Sequence, residues 1–415
     1  MAEQQQRRAR HAHRILKGGV AATASLALGA VALVGTGASS GAGSLKLSSP
    51  VKVGGAYEIA GESAVAINNF DYGVRLAVST INKAGGIGGK PVQYVREPVS
   101  TITLGKAPGQ FLNLVQQNPT VIVGLVGTAQ FPVLQSDINQ AKIPVLSLSP
   151  ANTQALYGGP QSSQYLWFVP PSTSEDAQAS VNYYVKSLKI KKVAIMGTNT
   201  SYGMTSGKDS TKQLATFGLK PVATKYHSTT ATDLTSTILA VKSAGAKGIL
   251  DWDYPNPLAV LLKQAPQNGL TVPTLSSGSA SIVVNNKLAT GSELKNLYTA
   301  PGGCAPGASG VAPSLATFTK SYEAAYKGTV PDALAAAAYD SVFVYKAAVQ
   351  KANSATTAKV NAALSSLKVT SGVVCGTYQA DAAHLLGHTV AFAKYTSSGT
   401  SKFLQSVTLP PLKKQ

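Results

Sequence analysis

Between Val51 and Val95 the chain spells a strand, a helix and a second strand, and this order limits the possible folds more sharply than any other stretch. Val51-Lys52-Val53-Gly54-Gly55-Ala56 is a short apolar run. After the loop Tyr57 to Ser63, Phe70, Val74, Ala77, Val78 and Ile81 recur at three- and four-residue spacing, which marks one buried helix face. Asn82-Lys83-Ala84-Gly85-Gly86-Ile87-Gly88-Gly89-Lys90 then leads into Pro91-Val92-Gln93-Tyr94-Val95. A connection of this length makes the two strands parallel. The glycines before Lys90 invite a phosphate-loop reading, but such a loop runs from a strand into a helix and places Ser or Thr after the lysine. Here the glycines follow a helix, and Pro91 follows the lysine. The run is expected to be a helix C-cap and tight turn, where glycine takes positive φ at little cost.

The alternation continues. A helix is expected over Leu104 to Gln117 and a doubly apolar strand over Thr120 to Gly127, followed by a helix from Pro132 to Ala141 and a strand over Ile143 to Ser147. Tyr165 to Pro171 reads as a crossing into a second lobe. There the pattern restarts with helices over Ser174 to Leu188, Gly203 to Phe217, Asp233 to Ser243 and Pro257 to Gln267. The strands between them are Lys192 to Met196, Pro221 to Tyr226 and Gly248 to Trp252. Leu297 to Pro301 is expected to cross back, with helices at Pro313 to Tyr326 and Asp332 to Lys351 completing the first lobe. Val373 to Tyr378 and Thr389 to Tyr395 read as strands of the second lobe. Two doubly wound, Rossmann-like α/β lobes place a ligand cleft at the carboxyl ends of their strands.

The formal charge is +19, yet after the leader the lysines are scattered, with no basic block or aromatic-interleaved stripe. Nucleic acid is therefore not an expected partner. Arg7, Arg8, Arg10, Arg14 and Lys17 precede an apolar stretch, Val20 to Val34, and small residues suited to cleavage near Ala38 or Ala42. That is an export signal, the alternative being an uncleaved anchor, and no lipid-acceptor cysteine stands at its end. In an exported chain Cys304 and Cys375 are a candidate disulfide, the alternative being two buried thiols.

The Asn82 to Lys90 run, with the strand and helix before it, resembles the first unit of type I periplasmic solute-binding proteins. The branch it is most similar to is the leucine/isoleucine/valine-binding family of ABC importers. Val330-Pro331-Asp332-Ala333 with Ala337 to Val342 resembles that family's long late helix, and the likeness runs from Pro50 to Lys402. It implies two lobes joined by a three-segment hinge. Domains are expected at 1–43 (signal peptide and linker), 50–168 plus 302–352 (lobe 1) and 172–300 plus 353–407 (lobe 2). It also implies a small organic solute as ligand, a branched-chain amino acid or a related amino acid, amide or carboxylate, and a membrane ABC permease as partner.

Five loops are candidate ligand contacts. Ile59 and Ala60 lie where the family has its Pro-Leu-Thr-Gly loop. Thr128, Ala129 and Gln130 sit near a helix start, where backbone N–H groups and a hydroxyl can meet a carboxylate. Ser149 and Ala151 fall in Ser147-Leu148-Ser149-Pro150-Ala151-Asn152, which resembles the family's Ser-Pro-Ser-Ala-Thr-Asn. The family threonine that helps hold the amino group falls on Ala151. Tyr202, in Asn199-Thr200-Ser201-Tyr202-Gly203, is the expected aromatic wall. Trp252, Asp253 and Tyr254 end the Gly248 strand; the family's acidic partner of the ammonium falls on Pro257, with Asp253 as the substitute at hand.

Catalysis has little support. The Gly37-to-Gly41 nucleophile-elbow pattern falls in the leader, and no nucleophile–base pair is legible. His384 and His388 have helical metal spacing, but Gly387 intervenes and no third ligand is evident, so neither a metal nor a cofactor is expected. Asp176 and Asp209 read as helix-capping or solvated carboxylates. Besides an importer component, a sensor signalling to a membrane partner and an extracellular enzyme remain as alternatives.

Overall fold

The computed structural model describes residues 45–58, 64–101 and 103–411. The expected leader and the site candidates Ile59 and Ala60 lie outside them. The first sheet comprises β1 (Val51–Ala56), β2 (Val92–Glu97), β3 (Val121–Gly124), β4 (Val145–Ser147) and β5 (Leu166–Phe168). All five run parallel in the order β2-β1-β3-β4-β5. They are joined by α1 (Ala64–Lys83), α2 (Ala107–Gln116) and α3 (Gln130–Ala141). The Tyr165–Pro171 stretch, expected only to cross over, thus supplies a fifth strand first.

The glycine run closes α1 as a cap and turn. Gly86 N–H donates to Ile81 O at 2.9 Å and Gly85 N–H to Asn82 O at 3.1 Å, the paired bonds of a Schellman cap. Gly88 and Gly89, at φ +57° and +75°, then turn the chain between Ile87 and Lys90. The Asn82 amide holds both the N–H and the carbonyl of Val92, setting where β2 begins.

The second lobe opens with α4 (Thr173–Asn182), which continues through the π-helical turn Tyr183–Ser187. It then alternates β6 (Val193–Thr198), α5 (Ser201–Ala215), β7 (Ala223–His227), α6 (Thr235–Ser243) and β8 (Gly248–Trp252). α7 (Pro255–Gln267), β9 (Thr274–Ser276), α8 (Ser279–Asn285) and β10 (Leu297–Thr299) follow. The parallel order β7-β6-β8-β9-β10 repeats that of the first lobe, although the sequence carries no visible repeat.

α9 (Pro313–Ala325) and α10 (Ala333–Ala352) return to the first lobe. α10 lies on α1 so closely that a Cβ on Gly73 would stand 2.2 Å from Ala335 O. Phe70, Val74, Ala338, Val342 and Tyr345 share one core with Val51 and Val53. One boundary differs from the sequence reading. α11 (Thr357–Leu364), β11 (Lys368–Val369) and β12 (Tyr378–Gln379) belong to the first lobe, because Val360, Leu364, Val369 and Tyr378 pack into that same core. Trp167 Nε1–H also donates to Asn361 Oδ1 at 2.8 Å. Only β13 (Thr389–Tyr395) and β14 (Ser401–Thr408) join the second sheet, both antiparallel, beside β10.

The chain crosses between lobes near residues 168–172, 300–304 and 386–390. At the last two crossings Gly303 N–H donates to Thr389 O at 2.6 Å and Ala391 N–H to Pro301 O at 3.2 Å. Cys304 and Cys375 are joined by a disulfide with Cα atoms 4.8 Å apart, which ties the second crossing to the first lobe. Among the described residues no helix is long and apolar enough to cross a membrane.

Candidate functional site

A cavity of about 350 Å³ lies where the carboxyl ends of both sheets face each other. That is the place where doubly wound sheets leave loop backbone free to meet ligands. First-lobe walls come from the loops after β3 (Val126 to Ala129) and β4 (Leu148 to Pro150), with Phe70 from α1. Second-lobe walls come from Asp176, Tyr202, the β8 loop (Tyr254 to Asn256) and the β9 loop (Ser277 to Ser279), while Pro301 and Gly302 close the hinge side.

Of the residues singled out from sequence, Thr128, Ala129, Ser149, Tyr202 and Tyr254 line this cavity. Thr128 and Ala129 stand at the start of α3, whose N-cap, Ala129, offers no side-chain cap bond. The Gln130 and Phe131 N–H groups at this helix start donate to Gly127 O and Thr128 O, and Pro132 has none, so what the turn offers an acceptor on a ligand is the Thr128 hydroxyl. Tyr202 and Tyr254 have ring centroids 6.3 Å apart, inclined by 25°, and form an aromatic face. Burial, then the Asp176 charge, push the Tyr202 phenol upward, so it remains a hydrogen-bond donor at neutral pH.

Four candidates fall elsewhere, each for a packing reason. Gln130 is wholly buried: its Oε1 accepts from Gly127 N–H at 3.1 Å, and its Nε2 donates to Val99 O and Ser100 O. It braces two loops and does not reach the cavity. Ala151 is buried in the core, and its carbonyl accepts from Thr173 N–H at 2.9 Å, so its missing hydroxyl faces no ligand. Trp252 backs the aromatic face, edge-on to Tyr202 at 6.2 Å, with its Nε1–H donated to Ser210 Oγ at 3.0 Å. Asp253 lies fully buried with Oδ1 2.9 Å from His227 Nε2, an ion-pair contact off hydrogen-bond alignment. Burial raises the Asp253 carboxyl to about 7 and lowers His227.

Sequence reasoning passed over Asp176. It lines the cavity and is buried, and its Oδ1 has no hydrogen-bond partner. Burial first, and the neighbouring Glu175 second, hold its carboxyl well above the usual range. Glu175 itself is fully engaged. It closes the capping box of α4 with Ser172, and its Oε1 lies 2.8 Å from His388 Nδ1. His388 Nε2 meets Gln379 O at 3.0 Å, so both ring nitrogens face acceptors, and against the burial that lowers it the Glu175 pairing raises the ring's pKa. His384, the other half of the suspected metal spacing, stacks on Trp167 and Tyr157. Among the described residues no group of three or more His, Cys, Asp or Glu is placed to hold a metal. Ser277 to Ser279 were also missed, because the three residues of β9 are too short a run to mark a strand end.

The family model that matches is that of the periplasmic binding proteins, over residues 50–400. A Leu/Ile/Val-binding protein homologue of Brucella suis is 24% identical over 237 residues, covering 55% of this chain. The match spans 58% of that relative's length. Among solved structures, the branched-chain amino acid transporter substrate-binding protein LivJ of Streptococcus pneumoniae, in complex with isoleucine, is similar with a TM-score of 0.73 and 23% identity. The alignment covers 86% of this chain and 99% of LivJ. A solute-binding protein of an ABC transporter from R. palustris, in complex with benzoate, is similar with a TM-score of 0.74 and 17% identity, covering 88% and 98%. The family and these neighbours are solute-binding proteins, not enzymes.

Proposed function

From the premise that this chain belongs to the periplasmic binding protein family, we propose that it is the exported solute-binding component of an ABC importer. Its two lobes close on one small organic solute and present it to a membrane permease. The observation that carries this reading is the cavity of about 350 Å³ between the two sets of strand ends, with polar groups on both walls and an aromatic face on the second. Closure follows from a ligand that touches both walls, since only differential affinity for the closed state can shift the hinge.

Neighbours of this fold hold isoleucine in one case and benzoate in another, so the solute panel should span amino acids and aromatic acids. The test is a thermal-shift screen of the full chain. A ligand at about 100 times its Kd should stabilise the fold by about 2.7 kcal/mol. A raised midpoint with a member of the panel supports the reading; a flat response across amino acids, amides, short carboxylates and aromatic acids rejects it.

A further inference from the structure

We propose that the end of the second lobe farthest from the cavity is a docking site for an anionic lipid surface, with a headgroup phosphate seated among Lys295, Lys394 and Lys402. This surface lies apart from the cleft and would serve whichever solute the cleft takes.

The three lysines surround a depression of about 330 Å³ to which no Asp or Glu contributes. Lys394 of β13 stands directly opposite Lys402 of β14, so the backbone register holds their side chains on one face of the sheet. Like charges in directly opposed positions destabilise an antiparallel pair. Nothing nearby in sequence offsets them, since residues 382–411 contain no Asp or Glu. None of the three lysines makes an ion pair with a described residue. Lys394 Nζ instead stands 5.1 Å from the centre of the Tyr298 ring, while Lys295 and Lys402 are exposed. An incoming anion relieves the repulsion that this register imposes.

The patch is also placed to leave the cleft free. Lys295 immediately precedes β10, which runs parallel to β9 and, through it, to β8. The loops at the carboxyl ends of β8 and β9 line the cavity, so the start of β10 lies at the opposite end of the sheet.

The remaining walls favour a lipid surface over a soluble polyanion. Leu404, 38% exposed, is part of the same depression. An apolar side chain gains nothing from a phosphate chain in water, whereas at a bilayer it enters the acyl boundary while lysine stems reach the headgroups. Thr396 and Ser397 add hydroxyls that can donate to phosphate oxygens.

The experiment is amine-reactive labelling of the full chain, read lysine by lysine by mass spectrometry. It is run in solution, on phosphatidylcholine vesicles, and on vesicles of phosphatidylglycerol mixed with phosphatidylcholine. On the mixed vesicles Lys295, Lys394 and Lys402 should label at least about five-fold more slowly than in solution, the factor that matches one lysine's gain at an anionic surface. Lys106, Lys320 and Lys359, exposed on the first lobe, should keep their rates, and neutral vesicles should leave all six unchanged. Because two faces of one molecule are compared, recruitment through the basic leader cannot imitate this result. Equal slowing of both sets, or slowing of neither, would overturn the proposal and leave the importer reading standing. Protection by soluble polyphosphate as strong as that on vesicles would overturn the choice of a lipid surface, because Leu404 would then add nothing.

Discussion

The two walls of the cavity draw on the loops after equivalent strands, β3 with β8 and β4 with β9, yet they carry different side chains. The first lobe offers neutral donors, Thr128 and Ser149, at loops that end β3 and β4. The second offers a carboxylate and aromatic rings, Asp176, Tyr202 and Tyr254. With a shared strand order, the difference must lie in the loops. On the cleft reading proposed above, the scaffold fixes where a ligand would sit and a few loop side chains decide what it meets on each side. The lobes differ in reinforcement too. The first holds the disulfide and the segments that return from beyond α10, whereas the second closes its sheet with a hairpin.

The largest expected effect separates the lobes by stability. Replacing both cysteines, Cys304→Ser with Cys375→Ser, reopens a loop of 71-residue separation and should cost on the order of 4 kcal/mol in urea unfolding. Ligand affinity at native conditions should hold, because neither cysteine lines the cavity. Next comes the aromatic wall. Tyr202→Ala should weaken the best ligand roughly 100-fold, about 3 kcal/mol, by calorimetry. An equal loss from Phe70→Ala, on the first-lobe side, would erase the contrast between the walls.

A third test sets one buried acid against another. Asp253 is raised from 3.8 to about 7, so the folded state holds its proton longer than the unfolded chain does. Its stabilising contribution is therefore complete below about pH 4 and lost as pH rises through 7. Asp253→Asn should flatten the fall in stability between about pH 4 and 8, leaving ligand affinity unchanged. A change in affinity would mean that Asp253 communicates with the cavity after all. The smallest effect is expected from Thr128→Val, which removes one hydroxyl and should cost about 1 kcal/mol of binding.

Much of this architecture was legible because parallel strands buried on both faces leave unbroken apolar runs, as at Thr120 to Gly127 and Gly248 to Trp252. Strand ends then pointed to Thr128, Ser149, Tyr202 and Tyr254. What stayed hidden depends on contacts between distant segments. Asp176 reads as a helix-start acid; only Gly302, well over a hundred residues later, brings the hinge against it. Gln130 reads as a ligand contact until Val99 and Ser100 are seen to take its amide. The apolar positions of α11 announce a buried face but not which lobe buries it.

The packing of α10 on α1 also has a bearing on the order in which the chain can fold. β6 to β10 and their helices are contiguous, so the second lobe can form most of its parallel sheet as soon as residue 299 is available. The first lobe cannot: Phe70 and Val74 must wait for Ala338 and Val342 to cover them. Contacts so far apart in sequence are slow to form, and surfaces awaiting them stay exposed meanwhile. A nascent chain carrying only its amino-terminal half thus lacks a finished core, and its apolar α1 face stays open to other contacts until α10 is made.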